Sequence, residues 1–114
     1  MTTEIATQHG NTYGPYRAPA NPMRESTGTI HDEGDARRLG FRGGLVAGSI
    51  HMEQFAPLLV HAFGEEWLER GTISIYFLTP TVHGEQVRAV LGVLPGPDAQ
   101  VEAWMETEAG TRIC

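Results

Sequence analysis

One segment of the sequence, residues 48–63, is apolar around almost the whole circumference of a helix and therefore constrains the fold most strongly. A narrow polar stripe lies at His51, Gln54 and His61, whereas a surface helix would carry a broad polar face. Such a helix has to be covered by the rest of the chain. At about 1.5 Å per residue it would be roughly 24 Å long, enough to cross a small sheet. Pro57 removes one backbone donor and is expected to kink or restart the helix.

After this helix the sequence alternates between apolar and polar side chains, as half-buried strands do. The three alternating runs lie at residues 73–78, 87–93 and 101–106. The turns between them lie at residues 80–84 and 95–98. A last strand is expected to start near Thr111 and to be cut off at Cys114, so that either the chain is a fragment or its final strand is unusually short. The pattern predicts an α+β fold in which an antiparallel sheet wraps around one long central helix.

The region before the helix is predicted to be less regular. Residues 1–24 contain three prolines and two glycines among polar residues, which indicates a loose arm with one short edge strand at residues 16–18. A connector helix is expected at residues 35–39, with Asp32 or a neighbour as its cap and Gly40 at its end. The 114 residues are expected to form a single domain, small enough to favour a homo-oligomer.

The charge of the chain excludes several classes of function. The net charge is −6, whereas a nucleic-acid partner requires a basic face. All eight basic residues are arginine, which excludes Schiff-base chemistry and a Walker-type phosphate loop because both need lysine.

No apolar run approaches the ~20 residues of a membrane span, and the N-terminus has no export signal. We therefore expect a cytoplasmic protein that binds neither nucleic acid nor membrane.

The most informative motif lies just before the apolar segment. His31 is followed by a short polar helix, a glycine-rich turn at residues 43–48 and then the apolar helix. This order resembles the active-site segment of MaoC-like hydratases and dehydratases of the hotdog superfamily. The family pattern runs Asp-x-Asn-Pro-Ile/Leu-His, a short helix, Gly-Phe and a glycine-containing turn. The matching positions are Ile30-His31, Gly40-Phe41 and Gly48, and the resemblance extends over residues 28–90.

The resemblance implies a hotdog fold, a homodimer and an acyl thioester of coenzyme A or phosphopantetheine as the ligand. In the family, the histidine and an aspartate hold the water that adds across the double bond of an enoyl thioester. His31 would then act as general acid and base, a role that suits an imidazole near neutral pH. Gly48, with Ser49 beside it, would supply the oxyanion hole at the start of the helix.

Two positions depart from the family pattern. The catalytic aspartate falls on Ser26 and the asparagine on Gly28. A hydroxyl with no paired base cannot accept a proton from water as a carboxylate does, and Glu25 and Asp32 are the neighbouring acids. The sequence thus predicts a thioester pocket with Ser26 and His31 at the catalytic positions. It leaves open whether the protein is a hydratase or dehydratase, or a binding or regulatory protein without catalysis.

The other predicted ligand contacts come from arginines and glycine. Arg37, Arg38 and Arg42 form the one basic cluster of this acidic chain. Because arginine forks pair well with phosphate oxygens, the cluster is predicted to hold the coenzyme A or carrier phosphate, with a solvated helix face as the alternative. Gly44 is predicted to line the same pocket.

Glu53 supports a third function. Hotdog thioesterases commonly place an acid on the central helix to activate water or to attack the thioester, so the resemblance also admits a thioesterase that uses Glu53. The histidines His51, His61 and His83 lack a metal-ligand spacing such as His-Glu-x-x-His. We predict no metal and no cofactor besides the coenzyme A or phosphopantetheine of the substrate.

Overall fold

The computed structural model describes residues 4–94, 96 and 100–114 and has an α+β architecture with an antiparallel sheet. The strands of this sheet, in spatial order, are β1 (Ala6–Gln8), β2 (Asn11–Tyr13), β3 (Val87–Leu91) and β4 (Ala103–Thr107). Between β2 and β3 the chain forms α1 (Glu33–Arg38), α2 (Gly48–Met52), α3 (Phe55–Phe63) and α4 (Glu66–Arg70). The α+β class and the antiparallel sheet predicted from the sequence are confirmed.

The N-terminal arm is more regular than predicted over residues 6–13. Strands β1 and β2 form a hairpin whose two turn residues, His9 and Gly10, have φ values of 52° and 82°. Positive φ at both positions gives the turn the twist that suits paired strands. Strand β2 then pairs with β3. The edge strand expected at residues 16–18 is reduced to one bridge between Arg17 and Val87.

The helix predicted over residues 48–63 is not continuous, because it is interrupted between α2 and α3, as a proline that kinks or restarts the helix leads one to expect. Pro57 has no N–H to bond the carbonyl of Glu53 one turn earlier. The amide of Gln54 instead bonds the carbonyl of His51 at 3.1 Å, in a tighter turn. The helix is therefore interrupted one turn before Pro57, next to the carbonyl that an N–H at position 57 would bond.

The buried face of α3 packs on the sheet and forms the core. The buried members of this core are Phe55, Leu58, Leu59, Val87, Ala89, Leu91, Met105 and Ile113. Helix and strands contribute to one apolar cluster, as the apolar periodicity of both regions predicts. Strands β3 and β4 lie close to the predicted positions at residues 87–93 and 101–106.

The predicted strand at residues 73–78 is not part of the sheet as a regular strand. Ile73 and Ile75 are partly buried against the core, so the alternation of side chains is present. The amides of Leu78 and Thr79 bond the carbonyl of Ile113 at 2.8 and 3.2 Å. Ile113 in turn donates to Met105 of β4 at 2.8 Å.

The first of the two predicted turns is present, and most of the second lies outside the described residues. Gly84 has a φ of 88°, as expected for a turn at residues 80–84. Residues 95, 97 and 98 of the second predicted turn lie outside the described residues. Among the residues that are described, no helix is long and apolar enough to cross a membrane.

Candidate functional site

The candidate site is built on the loop that leads into α1. Asp32 is 2% exposed, and its carboxylate accepts hydrogen bonds from the amides of Thr29 at 2.9 Å and Asp35 at 2.7 Å. It therefore caps α1, as predicted. The amide of His31 donates to Thr29 Oγ1 at 2.9 Å, so the backbone on both sides of the histidine is fixed.

The imidazole of His31 is half-buried and oriented by the turn before α2. Its Nδ1 lies 2.8 Å from the carbonyl oxygen of Leu45. Because a carbonyl can only accept a hydrogen bond, Nδ1 carries the hydrogen and Nε2 keeps a lone pair when the ring is neutral. The ring thus has one nitrogen that positions it and one that can take a proton.

The backbone carbonyl of His31 is bonded by Asn21 and packs closely against Gly44. Asn21 is 2% exposed, and its Nδ2 donates to the carbonyl oxygen of His31 at 2.7 Å. A Cβ added to Gly44 would lie 2.3 Å from that oxygen and 2.9 Å from Asn21 Nδ2. Gly44 therefore permits close backbone packing under His31. Asn21 belongs to no recognised motif and lies in the arm that is predicted to be loose.

The structure does not join Ser26 to His31. Ser26 is exposed on a turn in which its amide donates to the carbonyl of Met23 at 3.0 Å. Gly28 has a φ of 88°, and its amide donates to the Asp35 carboxylate at 2.5 Å. No hydrogen bond links the side chains of Ser26 and His31 in the described part of the chain.

The start of α2 is covered by an aromatic ring. Gly48 is its first residue, and a Cβ added there would lie 2.6 Å from the tip of the Phe77 ring. Phe77 itself is 51% exposed. Ser49 is exposed, and its carbonyl accepts the amide of Glu53 at 3.3 Å. Since α2 has only five residues, the predicted oxyanion hole at Gly48 has little helix behind it.

The three arginines predicted to bind phosphate are each neutralised by a neighbouring acid. Arg37 Nε lies 3.4 Å from Glu33, and Arg38 contacts Asp35. Both pairs lie within α1. Arg37 and Arg38 therefore belong to a solvated helix face, which is the alternative to phosphate binding.

Arg42 has a stronger partner in Glu85. Its guanidinium donates two hydrogen bonds to the carboxylate, at 3.0 and 2.8 Å. This bond raises the pKa of Arg42 and lowers the pKa of Glu85. The bidentate geometry leaves little of the guanidinium fork for a second anion.

Two clefts lie outside the immediate surroundings of His31. The larger, about 670 Å³, lies between the arm and the helices, and its walls include Tyr16, Ile50, Pro57 and Leu58. Glu53 is exposed at this cleft. The smaller, about 390 Å³, is lined in part by Arg42 and Glu85. His31 lines neither of them.

His51, one of the three residues of the predicted polar stripe, is buried. It is 2% exposed, and its Nε2 lies 2.6 Å from Thr81 Oγ1. Its Nδ1 has no hydrogen-bond partner among the described residues. Burial lowers the pKa of His51, because a charged imidazole is poorly solvated there.

This burial predicts a pH-dependent stability. In the unfolded chain His51 titrates near pH 6.5, and in the folded protein it titrates lower. The unfolded state therefore binds the proton first, and stability is lost as the pH falls below about 6.5. We expect the free energy of unfolding to fall by about 1 kcal/mol between pH 7.5 and 5.5 through this residue. Urea unfolding at both pH values measures it.

The matched control is His51→Gln, whose amide can still bond Thr81 but does not titrate. The variant should lose most of the difference between the two pH values. An unchanged difference would assign the pH dependence to other groups.

Possible metal ligands are scattered over the fold. Within residues 4–94, 96 and 100–114, no group of three or more histidine, cysteine or acidic side chains is arranged to hold a metal ion.

The fold and the site together define an α+β protein with a half-buried imidazole fixed through Nδ1 at the entrance to its helical region. No family model, no curated protein and no solved structure matches the chain.

Proposed function

We propose that this chain is an acyl-thioester-binding protein with the hotdog architecture of MaoC-like hydratases and dehydratases, and that His31 is its acid–base group. The observation that carries this proposal is the 2.8 Å contact between His31 Nδ1 and the Leu45 carbonyl. It leaves Nε2 with the lone pair that a general base requires. The resemblance of residues 28–48 to the family's active-site segment supplies the substrate class.

The hotdog architecture and a homodimer are part of the proposal. An antiparallel sheet with α3 buried on one face supports the architecture. Tyr76, Phe77 and Leu78 are exposed, and residues 71–82 carry no charge in a chain of net charge −6. Two copies can therefore approach along this segment without charge repulsion, and the approach would bury apolar surface.

The expected reaction is slow hydration of an enoyl thioester, or dehydration of the 3-hydroxyacyl thioester. Ser26 supplies no carboxylate, and it is exposed on its turn. With one of two cooperating groups missing, a general acid–base mechanism loses much of its rate. A protein that binds the thioester without turning it over is the limiting case of the same proposal.

A thioesterase is the second candidate, and the position of Glu53 favours it. Glu53 lines the largely apolar cleft of about 670 Å³. A cleft of this size can hold an acyl chain. In this case the acid would activate water for attack on the thioester carbonyl, and His31 would not be required.

One set of assays separates these functions. The purified protein is given saturated acyl-CoA and enoyl-CoA substrates of several chain lengths. Hydration is followed by loss of the enoyl absorbance, hydrolysis by release of free thiol, and binding by calorimetry. Hydration that disappears in His31→Ala supports the leading proposal. Thiol release that disappears in Glu53→Gln supports the thioesterase, and the absence of binding to every substrate contradicts both.

A further inference from the structure

The arginines of this chain fall into two groups by their partners. Six of the eight form ion pairs with carboxylates: Arg37, Arg38, Arg42, Arg70, Arg88 and Arg112. Arg17 and Arg24 form none in the described part of the chain. In a protein with net charge −6, an arginine without an acidic neighbour is a better candidate for binding an external anion than a paired one.

Arg24 is distinguished from Arg17 by the histidine beside it. The guanidinium of Arg24 contacts Nε2 of His83. The other ring nitrogen, Nδ1, lies 2.9 Å from the backbone nitrogen of Asn21, which donates a hydrogen bond to it. Because a neutral imidazole has one donor and one acceptor, the hydrogen of His83 must be on Nε2.

Two hydrogen-bond donors therefore face each other. A guanidinium has no acceptor, so Arg24 cannot accept the Nε2 hydrogen of His83. An anionic oxygen that contacts both groups would accept a hydrogen bond from each. Both side chains are accessible to a ligand, since His83 is exposed and Arg24 is half-buried.

We propose that Arg24 and His83 form an anion site for a phosphate group. Asn21 connects this site to His31, since its backbone amide holds His83 and its side-chain amide holds the His31 carbonyl at 2.7 Å. The phosphate is assigned to the coenzyme A or phosphopantetheine part of the thioester, and this assignment rests on the proposed function. The site replaces the cluster of Arg37, Arg38 and Arg42, whose charges are already paired.

Binding of inorganic phosphate, measured by calorimetry at low ionic strength, tests the site itself. Arg24→Gln and His83→Ala should each weaken binding roughly 10-fold to 100-fold, because each removes a charge-assisted or directly facing donor. Arg17→Gln is the matched control, since it removes the other unpaired arginine and the same charge. It should leave the affinity within about twofold. Circular dichroism and thermal unfolding check that the variants are folded.

Equal weakening by Arg17→Gln and Arg24→Gln would overturn the proposal, because it would indicate an effect of net charge. Unchanged phosphate binding in Arg24→Gln would also overturn it.

Coenzyme A and pantetheine, which lacks the phosphates, identify the source of the anion. The coenzyme should bind more tightly than pantetheine to the wild type, and Arg24→Gln should remove that difference. If inorganic phosphate binds through Arg24 while the two ligands bind equally, the coenzyme assignment is wrong and the anion site stands. If coenzyme A binds with undiminished affinity to Arg24→Gln, the coenzyme assignment is wrong and the proposed function stands.

Discussion

Replacing Gly44 by alanine is expected to destabilise the protein by about 3 kcal/mol, the upper part of the range for overpacked sites. The added Cβ would lie 2.3 Å from the carbonyl oxygen of His31 and 2.9 Å from Nδ2 of Asn21. The carbonyl belongs to the backbone of a loop fixed on both sides, so it cannot rotate away as a flexible side chain would. The hydrogen bond between Asn21 and His31 should be lost with the movement. Urea unfolding measures the loss of stability.

Gly34→Ala provides the matched control for this experiment. Gly34 lies within α1, and a Cβ there would meet only Asp32 Oδ1, at 3.7 Å. Since alanine is a better helix former than glycine, this variant should be as stable as the wild type or more stable by about 0.5–1 kcal/mol. Equal stability of Gly44→Ala and Gly34→Ala would contradict the close packing described beneath His31.

Supplying the acid and amide of the MaoC-like pattern should increase hydration of enoyl-CoA by about 10²–10⁴-fold, the usual contribution of a general acid–base group, provided that the bound thioester brings the side chain at position 26 up to His31. The substitutions are Ser26→Asp together with Gly28→Asn. Asparagine is the non-glycine residue best suited to the φ of 88° at position 28. A Cβ at that position meets no atom within 4 Å. The rate of loss of enoyl absorbance gives the result directly.

His31→Ala in the doubly substituted protein is the control, and it should remove the gain. A folded double variant that binds the thioester without any rise in rate would mean that the resemblance in this segment is architectural only. A wild-type protein that is already fast, and that is inactivated by Glu25→Gln or Asp32→Asn, would show that a neighbouring acid has taken the catalytic role.

Local signals in the sequence predicted several parts of this structure correctly. Asp32 caps α1 and Gly40 follows its end with a φ of 95°, because capping depends on residues close in sequence. The burial of α3 and the positions of β3 and β4 follow from apolar periodicity. These features need no knowledge of distant contacts.

Features that depend on distant contacts or on unusual backbone angles were missed. The hairpin at His9 was not predicted because a histidine with positive φ is uncommon. The pairing of Arg42 with Glu85 joins residues 43 positions apart, so spacing along the chain gives no sign of it. The role of Asn21 was missed for the same reason, since its partners His31 and His83 lie in different parts of the sequence.

The burial of His51 shows how a correct local pattern can still mislead. Polar residues on a predicted helix are placed on its exposed side by default. Thr81 lies 30 positions away and forms a hydrogen bond that offsets part of the cost of burying the ring. The interruption before Pro57 also places His51 in α2 and His61 in α3, so one continuous helix does not carry the polar stripe.

The most direct test of the central claim is imidazole NMR of the 15N-labelled protein during titration with crotonyl-CoA. The free protein should show His31 as the tautomer with hydrogen on Nδ1 and a lone pair on Nε2, assigned by the loss of its signals in His31→Ala. We predict saturable binding in which the His31 Nε2 resonance shifts with the fraction bound, while the signals of the exposed His61 stay in place. Absence of saturable binding, or binding that leaves the His31 resonances unchanged, would contradict the proposal that His31 serves an acyl-thioester site.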